Sequence, residues 1–455
     1  MQNILPKSLI QLANVCPAPL YVVGGFTRDF LAKLTPVNGY SDIDIAAPID
    51  VDTLSALAKE HGLFVQSAYK NTGTLKLSDE EGNDFEFTSF RSDKYVRGVH
   101  APTEVFFTDD IVLDAKRRDF TCNAVYYDVK NDEFADPLNG ISAIQEKRIT
   151  TVAPAKNVFG EDGLRLMRLA RQAAQLGFTP DDECLAGAQE NTALILDITP
   201  ERIFTELSAI LNADLKYGVQ DGHYNGLLLL EKTGVMEKIL PELTLGKGMQ
   251  QRADFHNYDV LHHSLRAALY AHPSVRFAAL FHDVGKPYCT IQDGNSYNHP
   301  AEGARIVEEI LQRLKAPKRL IQQTQALVLW HMYDFNCQTS EKKLRRFFTA
   351  HYTELEDILK VKQADFSACK DDVSPAPTCV RWNSILQKMR KENTPFTLKQ
   401  LAVTGKDILD KQIPAPLVSK ILQELLAHTA VFPKDNTKTK LLMLAKQIYK
   451  QFEKR

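Results

Sequence analysis

At 455 residues the chain exceeds the ~100–200 residues of one compact core, so two to four domains are expected. With 44% hydrophobic and 25% charged residues and a net charge of −2, the composition is that of an ordinary globular protein, and any nucleic-acid footprint must be local. No apolar run reaches the ~18–20 residues of a membrane span, no signal-like core opens the chain, and the 7 cysteines form no C-x-x-C; a cytoplasmic protein with reduced thiols and no membrane partner is expected.

From Tyr21 to Ala46 an apolar run stops at Gly24 and Gly25, and a helical pattern opens with Arg28 and Asp29. A second apolar run then carries Asp42 and Asp44. Residues two apart on a strand share a face, and two carboxylates so placed form a ligand pair for Mg²⁺, a hard cation. The diglycine lets backbone N–H groups approach a phosphate beside a helix N-terminus. Together these parts suggest metal-assisted chemistry on a nucleoside triphosphate. Val51 to His61 has helical spacing, while Gly73 to Leu77 and Asp84 to Phe90 alternate as strands. Glu86 stands where it could add a third carboxylate to Asp42 and Asp44, or be an exposed strand residue. Residues 91–110 read as a mobile loop before a short strand.

Arg117, Arg118, Asp119 and Asn123 follow, suited to bidentate phosphate contacts and to ribose hydroxyls, or equally to a surface ion-pair cluster. From Phe159 helical periodicity dominates. Asp162, Arg165, Arg168 and Arg171 recur every third residue, which predicts a slanted stripe along one helix. That stripe is either a salt-bridged solvated face or a donor–acceptor edge able to hydrogen-bond a base. Thr199-Pro200 predicts a helix start.

The order G-G-x-x-R-D, D-x-D, R-R-D-F-T-x-N-A and E-D-x-x-R-x-x-R over residues 20–215 resembles the class II tRNA nucleotidyltransferase (CCA-adding) and bacterial poly(A) polymerase family. The resemblance implies an α+β chain: a small mixed-sheet nucleotidyltransferase head (1–150), a helical neck and body (151–250), an HD-type domain (251–370) and a helical RNA-binding tail (371–455). It implies Asp42 and Asp44 as Mg²⁺ ligands, with Glu86 a further catalytic candidate. It implies triphosphate contacts from the Gly24-Gly25 turn, Arg28 and Arg118, and ribose contacts from Asp119 and Asn123. Asp162 and Arg165 become the protein template for C and A, supported by Arg168 and Arg171. The implied partners are tRNA, CTP and ATP, and the chemistry is two-metal displacement at an RNA 3′-OH with release of pyrophosphate. One departure is Tyr95 to Pro102, where family members often carry Asp-Gly-Arg-Arg/His-Pro.

A second constellation begins near Arg252. His282-Asp283 closes a helix at Gly285, with His262 or His263 before it and Asp365 after it. Imidazole and carboxylate suit divalent transition metals such as Ni, Mn, Fe, Co or Zn. The order H…HD…D resembles the HD-type phosphohydrolase domain, whose register favours His263 and whose two-metal forms carry ligands at the places of His299 and His331. The implied chemistry is metal-assisted hydrolysis of a phosphoester, suited to trimming 3′-phosphate or 2′,3′-cyclic phosphate ends of tRNA.

Asp371 to Thr378 reads as a linker, and Thr397–Asp410 and Pro416–His428 as helices. Lys434 to Arg455 holds seven Lys/Arg against two acids, a basic helix able to track phosphates. The alternatives are a poly(A) polymerase or A-only adding enzyme and, from another class, a metal-dependent phosphohydrolase whose head only binds nucleotide. The oligomeric state is left open.

Overall fold

The computed structural model describes residues 1–40, 42–94 and 103–453. The chain divides into two compact units, residues 1–244 with 313–315, and residues 245–312 with 316–455. No helix among the described residues is long and apolar enough to cross a membrane.

In the first unit α1 (Lys7–Val15) leads to β1 (Tyr21–Val22), α2 (Gly25–Ala32), β2 (Ile43–Ala47), α3 (Val51–Glu60), β3 (Phe64–Tyr69), β4 (Thr74–Ser78) and β5 (Asp84–Ser89). Next come the paired β6 (Arg91–Lys94) and β7 (Glu104–Phe107), α4 (Ile111–Lys116), β8 (Tyr126–Asp128) and β9 (Glu133–Ala135). The seven-stranded sheet runs β3-β4-β5-β2-β1-β8-β9, with β2 parallel to β5 and the other neighbours antiparallel. Alternation explains its two faces: Phe85 and Phe87 are buried with Ile43, Ile45 and Leu77, whereas Glu86 points the other way and is half-buried. The Asp50 carboxylate accepts the Thr53 N–H at 2.8 Å and starts α3 where the spacing predicts it.

The helical part of this unit comprises α5 (Gly140–Gln145), α6 (Ala155–Glu161), α7 (Leu164–Leu176), α8 (Asp182–Glu190), α9 (Pro200–Leu211), α10 (Asp214–Tyr217), α11 (Gly222–Lys232), α12 (Val235–Ile239) and α13 (Pro241–Thr244), with the short pair β10 (Arg148–Ile149) and β11 (Thr179–Pro180). The mixed sheet followed by helices is the expected α+β class. Three local expectations need correction. The helix after the diglycine opens at Gly25, three residues before Arg28. Part of the loop read over 91–110 is the β6–β7 hairpin, and Tyr95 to Pro102 lies outside the described residues. The stripe from Asp162 to Arg171 is not on one helix, because α6 ends at Glu161, Asp162 is extended and α7 starts at Leu164. The break lies at the extended Asp162, and the next residue, Gly163, packs against the Leu194 carbonyl, where a Cβ would come within 2.4 Å, so only glycine fits beside the break.

The second unit carries α14 (Val260–Tyr270), α15 (Arg276–Phe281), α16 (Lys286–Asp293), α17 (His299–Arg313), α18 (Lys318–Trp330), α19 (Glu341–Ala350), α20 (Leu355–Lys370), α21 (Pro377–Lys391), α22 (Gly405–Leu409), α23 (Ala415–Val431) and α24 (Lys438–Glu453). One core joins Ala267, Ala279, Leu327, Phe348, Val361, Trp382 and Met389, so residues on both sides of 371–378 share it. Within that segment Asp371 accepts the Tyr270 hydroxyl at 2.8 Å and pairs with Arg266 at 2.5 Å. A separate cluster of Leu401, Ile408, Ile421, Leu425 and Leu441 holds the last helices. Thr397–Asp410 is not one helix: capping boxes at Thr397/Gln400 and Thr404/Asp407 start a 3₁₀ turn and α22 separately.

Candidate active sites

In the first unit a cavity of about 490 Å³ is lined by Gly24, Gly25, Arg28, Asp42, Asp44, Arg118, Asp119, Asn123, Asp162, Arg165, Arg168 and Arg171. Eight arginine or lysine side chains face five aspartates there, an excess suited to a polyanion. Gly24 adopts φ 78°, ψ −138°, and its amide neighbour Val23 donates to the Asp44 carbonyl at 3.0 Å, so the diglycine turn sits directly against the D-x-D strand. Burial first, then Asp42 and Glu86, push the Asp44 carboxyl up to about 6 against the opposing pull of Arg118. Carboxylates that raise one another's proton affinity are the donor set a divalent cation relieves, and a hard cation fits it. Glu86 pairs with Asp44 in the parallel β2–β5 register but does not line the cavity; Lys76 Nζ lies 3.4 Å from its carboxylate.

The arginines are held by a buried lattice. Arg28 donates twice to Asp29 Oδ1, at 2.9 and 2.6 Å, and once to Asn123 Oδ1 at 2.8 Å. Arg118 donates to Asp114 at 3.1 Å and to the Tyr126 hydroxyl at 3.1 Å, above a fully buried Asp114. Arg168 forks onto Asp119 Oδ2 at 2.8 and 2.6 Å, while Asn123 donates to Oδ1 at 2.9 Å. Burial opposes ionisation of Asp119, but Arg168, Asn123 and Arg165 outweigh it and hold the carboxyl well below the usual range. Asp162 Oδ1 accepts the Leu164 N–H at 3.0 Å, in the turn that opens α7. Arg165, almost buried, donates to the Val158 and Arg117 carbonyls at 2.9 and 2.8 Å and to Glu161 at 2.6 Å. Arg171 donates to Glu206 at 2.6 Å. Lys216 and Tyr217 also line the cavity, and Tyr217 donates to Asp29 at 2.6 Å. No sequence signal pointed to these two, because they lie about 190 residues beyond Asp29 and arrive by folding alone.

In the second unit His263, His282, Asp283, His299 and His331 are at most 4% exposed, and their donor atoms converge. His263 Nε2 lies 3.1 Å from His282 Nε2, 3.0 Å from Asp365 Oδ1 and 3.5 Å from Asp283 Oδ2. His282 Nε2 lies 3.2 Å from Asp283 Oδ2. The other oxygen, Asp283 Oδ1, lies 3.3 Å from His299 Nε2 and 3.7 Å from His331 Nε2, and those two nitrogens are 3.2 Å apart. Asp283 therefore joins two donor groups, one through each oxygen.

The tautomers follow from the backbone. Nδ1 of His282, His299 and His331 meets the carbonyls of Ala279, Ser296 and Val328 at 2.7, 2.6 and 2.6 Å. A carbonyl only accepts, so Nδ1 of each ring carries a proton, and a neutral imidazole anchored in this way turns its Nε2 lone pair toward Asp283. Lone pairs facing lone pairs and carboxylates at about 3 Å repel unless cations lie between them, and anchoring of the distal imidazole nitrogen is the usual support of a metal ligand. All six predicted residues are brought together. Spacing did not reveal Lys286, which contacts Asp283 Oδ2 at 2.6 Å one helical turn on, nor His256 and Cys369, which group with His263. The Asp283–Lys286 spacing of three was a readable signal, and His256 stands only seven residues before His263; Cys369 comes from a distant segment.

With this geometry in view, comparison with known proteins is informative. Residues 20–150 match the poly A polymerase head domain, 177–245 the probable RNA and SrmB-binding site of polymerase A, and 260–360 the HD domain. The chain therefore carries, in this order, segments similar to the head and RNA-binding parts of poly A polymerase and to the HD domain. It is 34% identical over 252 residues to the CCA-adding enzyme of Lactococcus lactis subsp. lactis (strain IL1403), covering 52% of this chain and 58% of that one. It is 36% identical over 213 residues to the CCA-adding enzyme of Listeria monocytogenes serotype 4b (strain CLIP80459), covering 45% and 50%. The chain thus spans between half and three-fifths of the curated relatives it matches. Its fold is similar to that of the Bacillus stearothermophilus CCA-adding enzyme in complex with CTP, with a TM-score of 0.67 at 22% identity over 99% of this chain and 100% of that one. A tRNA nucleotidyltransferase complexed with a primer tRNA and an incoming ATP analog aligns with a TM-score of 0.52 at 19% identity, over 85% and 100% of the chains. The head and HD domains of the family both imply use of a divalent metal.

Proposed function

We propose that the chain is a cytoplasmic CCA-adding tRNA nucleotidyltransferase that uses CTP and ATP, joined to a metal-dependent phosphohydrolase. The work divides between a head (1–150), a neck and body that read the nucleotide (151–250), an HD domain (251–370) and an RNA-binding tail (371–455). The observation that carries this reading is the single cavity in which Asp42 and Asp44 face Arg28, Arg118, Arg165 and Arg168. Asp42 and Asp44, with Glu86 alongside, would hold Mg²⁺, which supplies Lewis-acid activation of the attacking and leaving oxygens when bound. Arg28, Arg118 and the Gly24-Gly25 turn bind the triphosphate, and Asp119 and Asn123 orient the ribose. Asp162 and Arg165 present the base-reading edge, and Arg168 and Arg171 hold that edge and the nucleotide in place. The RNA 3′-hydroxyl gives its proton to solvent and its oxygen forms a bond to the α-phosphorus as the α–β bridge breaks and pyrophosphate departs, while this lattice holds the triphosphate in line.

In the second unit His263, His282, Asp283 and Asp365 would hold one divalent transition metal, and Asp283, His299 and His331 a second. Such ions supply activated water for phosphoester hydrolysis when bound. The substrate would be a tRNA 3′-phosphate or 2′,3′-cyclic phosphate end.

The test supplies tRNA lacking its CCA end with labelled CTP, ATP or both. Ordered completion with both nucleotides is expected, and an Asp42→Ala variant should lose incorporation while keeping phosphatase activity. A long A tail with ATP alone would make the chain a poly(A) polymerase. No Mg²⁺-dependent incorporation would leave only the hydrolase.

A further inference from the structure

Lys362 is a buried lysine, 5% exposed. Its ammonium has three donor directions, and each one is spoken for. Two point to the backbone carbonyls of His331 and Tyr333, at 2.6 and 2.6 Å. The third side faces the Trp382 ring, 4.9 Å from its centroid. The His331 carbonyl caps the end of α18, where helix C-termini leave acceptors unmet and carry partial negative charge, and the Tyr333 carbonyl lies in the turn that follows. A cation at that end is therefore both a hydrogen-bond cap and a dipole partner.

The location matters because His331 is itself the residue that closes α18, and its ring is anchored through Nδ1 to the Val328 carbonyl of the same last turn. Fixing the His331 and Tyr333 carbonyls fixes the backbone from which the His331 imidazole projects. Lys362 also lies one turn before Asp365 on α20, so the two side chains leave the same helix face. One helix thus supplies Asp365 to the donor group around His263 and a clamp to the segment that carries His331.

Resting on the two-ion reading of the HD unit, we propose that Lys362 is a positioning residue for the ion between Asp283, His299 and His331. It sets the His331 backbone, while the ion between His263, His282, Asp283 and Asp365 does not depend on it. Removing the ammonium deprives the His331 and Tyr333 carbonyls of this donor and lets the end of α18 relax, which moves His331 but not Asp365.

The test uses the full chain carrying Asp42→Ala and Asp44→Ala, so that the head holds no metal, stripped with chelator and titrated with Mn²⁺ under calorimetry and electron paramagnetic resonance. With Lys362 intact, two Mn²⁺ and the spectrum of an exchange-coupled pair are expected. Lys362→Met should weaken one ion by about 10–100-fold, leave the other within about threefold, and convert the spectrum to that of an isolated ion. Lys362→Arg, which can still donate to both carbonyls, should restore the second ion to within about threefold. Two equally tight ions in Lys362→Met, equal loss of both, or no rescue by arginine would overturn the proposal while sparing the two-ion reading. Fewer than two ions with Lys362 intact would overturn both.

Discussion

Gly24→Ala adds one methyl group to the turn on which the head site depends. Gly24 sits at φ 78°, ψ −138°, a region essentially closed to residues with a Cβ, and holding alanine there costs about 1–3 kcal/mol. Alanine also narrows the unfolded ensemble, which returns roughly 0.4–1 kcal/mol, so strain alone leaves a net loss near ~1–2 kcal/mol. For a unit of this size that corresponds to about 2–8 °C in its melting temperature. A second effect is local: the new Cβ would lie 2.7 Å from Asp44 Oδ2, inside van der Waals contact, and would displace that carboxylate. The two effects separate in a double-mutant cycle. In an Asp44→Ala background the contact disappears and only strain remains, so the penalty for Gly24→Ala should fall by at least about 0.5 kcal/mol. Calorimetric unfolding of the four proteins measures the cycle, and Mg²⁺ titration of the first two should show about 10–100-fold weaker binding in Gly24→Ala. An unchanged penalty in both backgrounds, or unchanged Mg²⁺ affinity, would refute the account of the turn as a brace for Asp44.

Because Asp44 is raised to about 6 in the metal-free site, its carboxylate is lost as pH falls through that value, and apparent Mg²⁺ affinity should drop up to tenfold per pH unit below it. Excess Mg²⁺ should move the incorporation profile to lower pH. The linkage sign is the reverse of an ion-paired aspartate: ionising Asp44 opposes folding between about 4 and 6, so Asp44→Asn should stabilise the metal-free protein at pH 7 and not at pH 3. His299→Ala should reduce metal bound by the HD unit from two ions to one, by elemental analysis, with CTP incorporation within about twofold of the parent. Arg168→Ala removes the fork on Asp119, which is 6% exposed; breaking such a pair costs ~3–5 kcal/mol when dry, and about 1–3 kcal/mol is expected because Arg168 is 39% exposed. Arg168→Lys should recover only part of that loss, since an ammonium cannot form the fork.

Much of the head was readable because its signals are short-range. Asp42 and Asp44 are two residues apart, Arg118, Asp119 and Asn123 fall within one short stretch, and period two placed Glu86 opposite the core. Helical periodicity misled at Asp162. A three-residue spacing continues through Asp162 into α7, yet the helix is interrupted at the extended Asp162, beside Gly163 packed on the distant Leu194 carbonyl. It misled again over Thr397–Asp410, where two capping boxes each satisfy their own first turn and interrupt what apolar spacing alone would extend. Lys216, Tyr217, His256 and Lys362 carried no motif; their significance lies in what they touch.

Sequence by itself determined the chemistry on offer: oxygen ligands beside arginine forks in the first half, imidazole and carboxylate in the second, and helix or strand faces carrying them. Tertiary structure decided which of these meet. Asp283 reaches one donor group with Oδ2 and another with Oδ1, across partners 20 residues before it and 48 after it. Local periodicity sets the direction of a side chain along its own element, whereas convergence depends on how buried faces of separate helices and strands pack, and that is set by contacts distant in the chain.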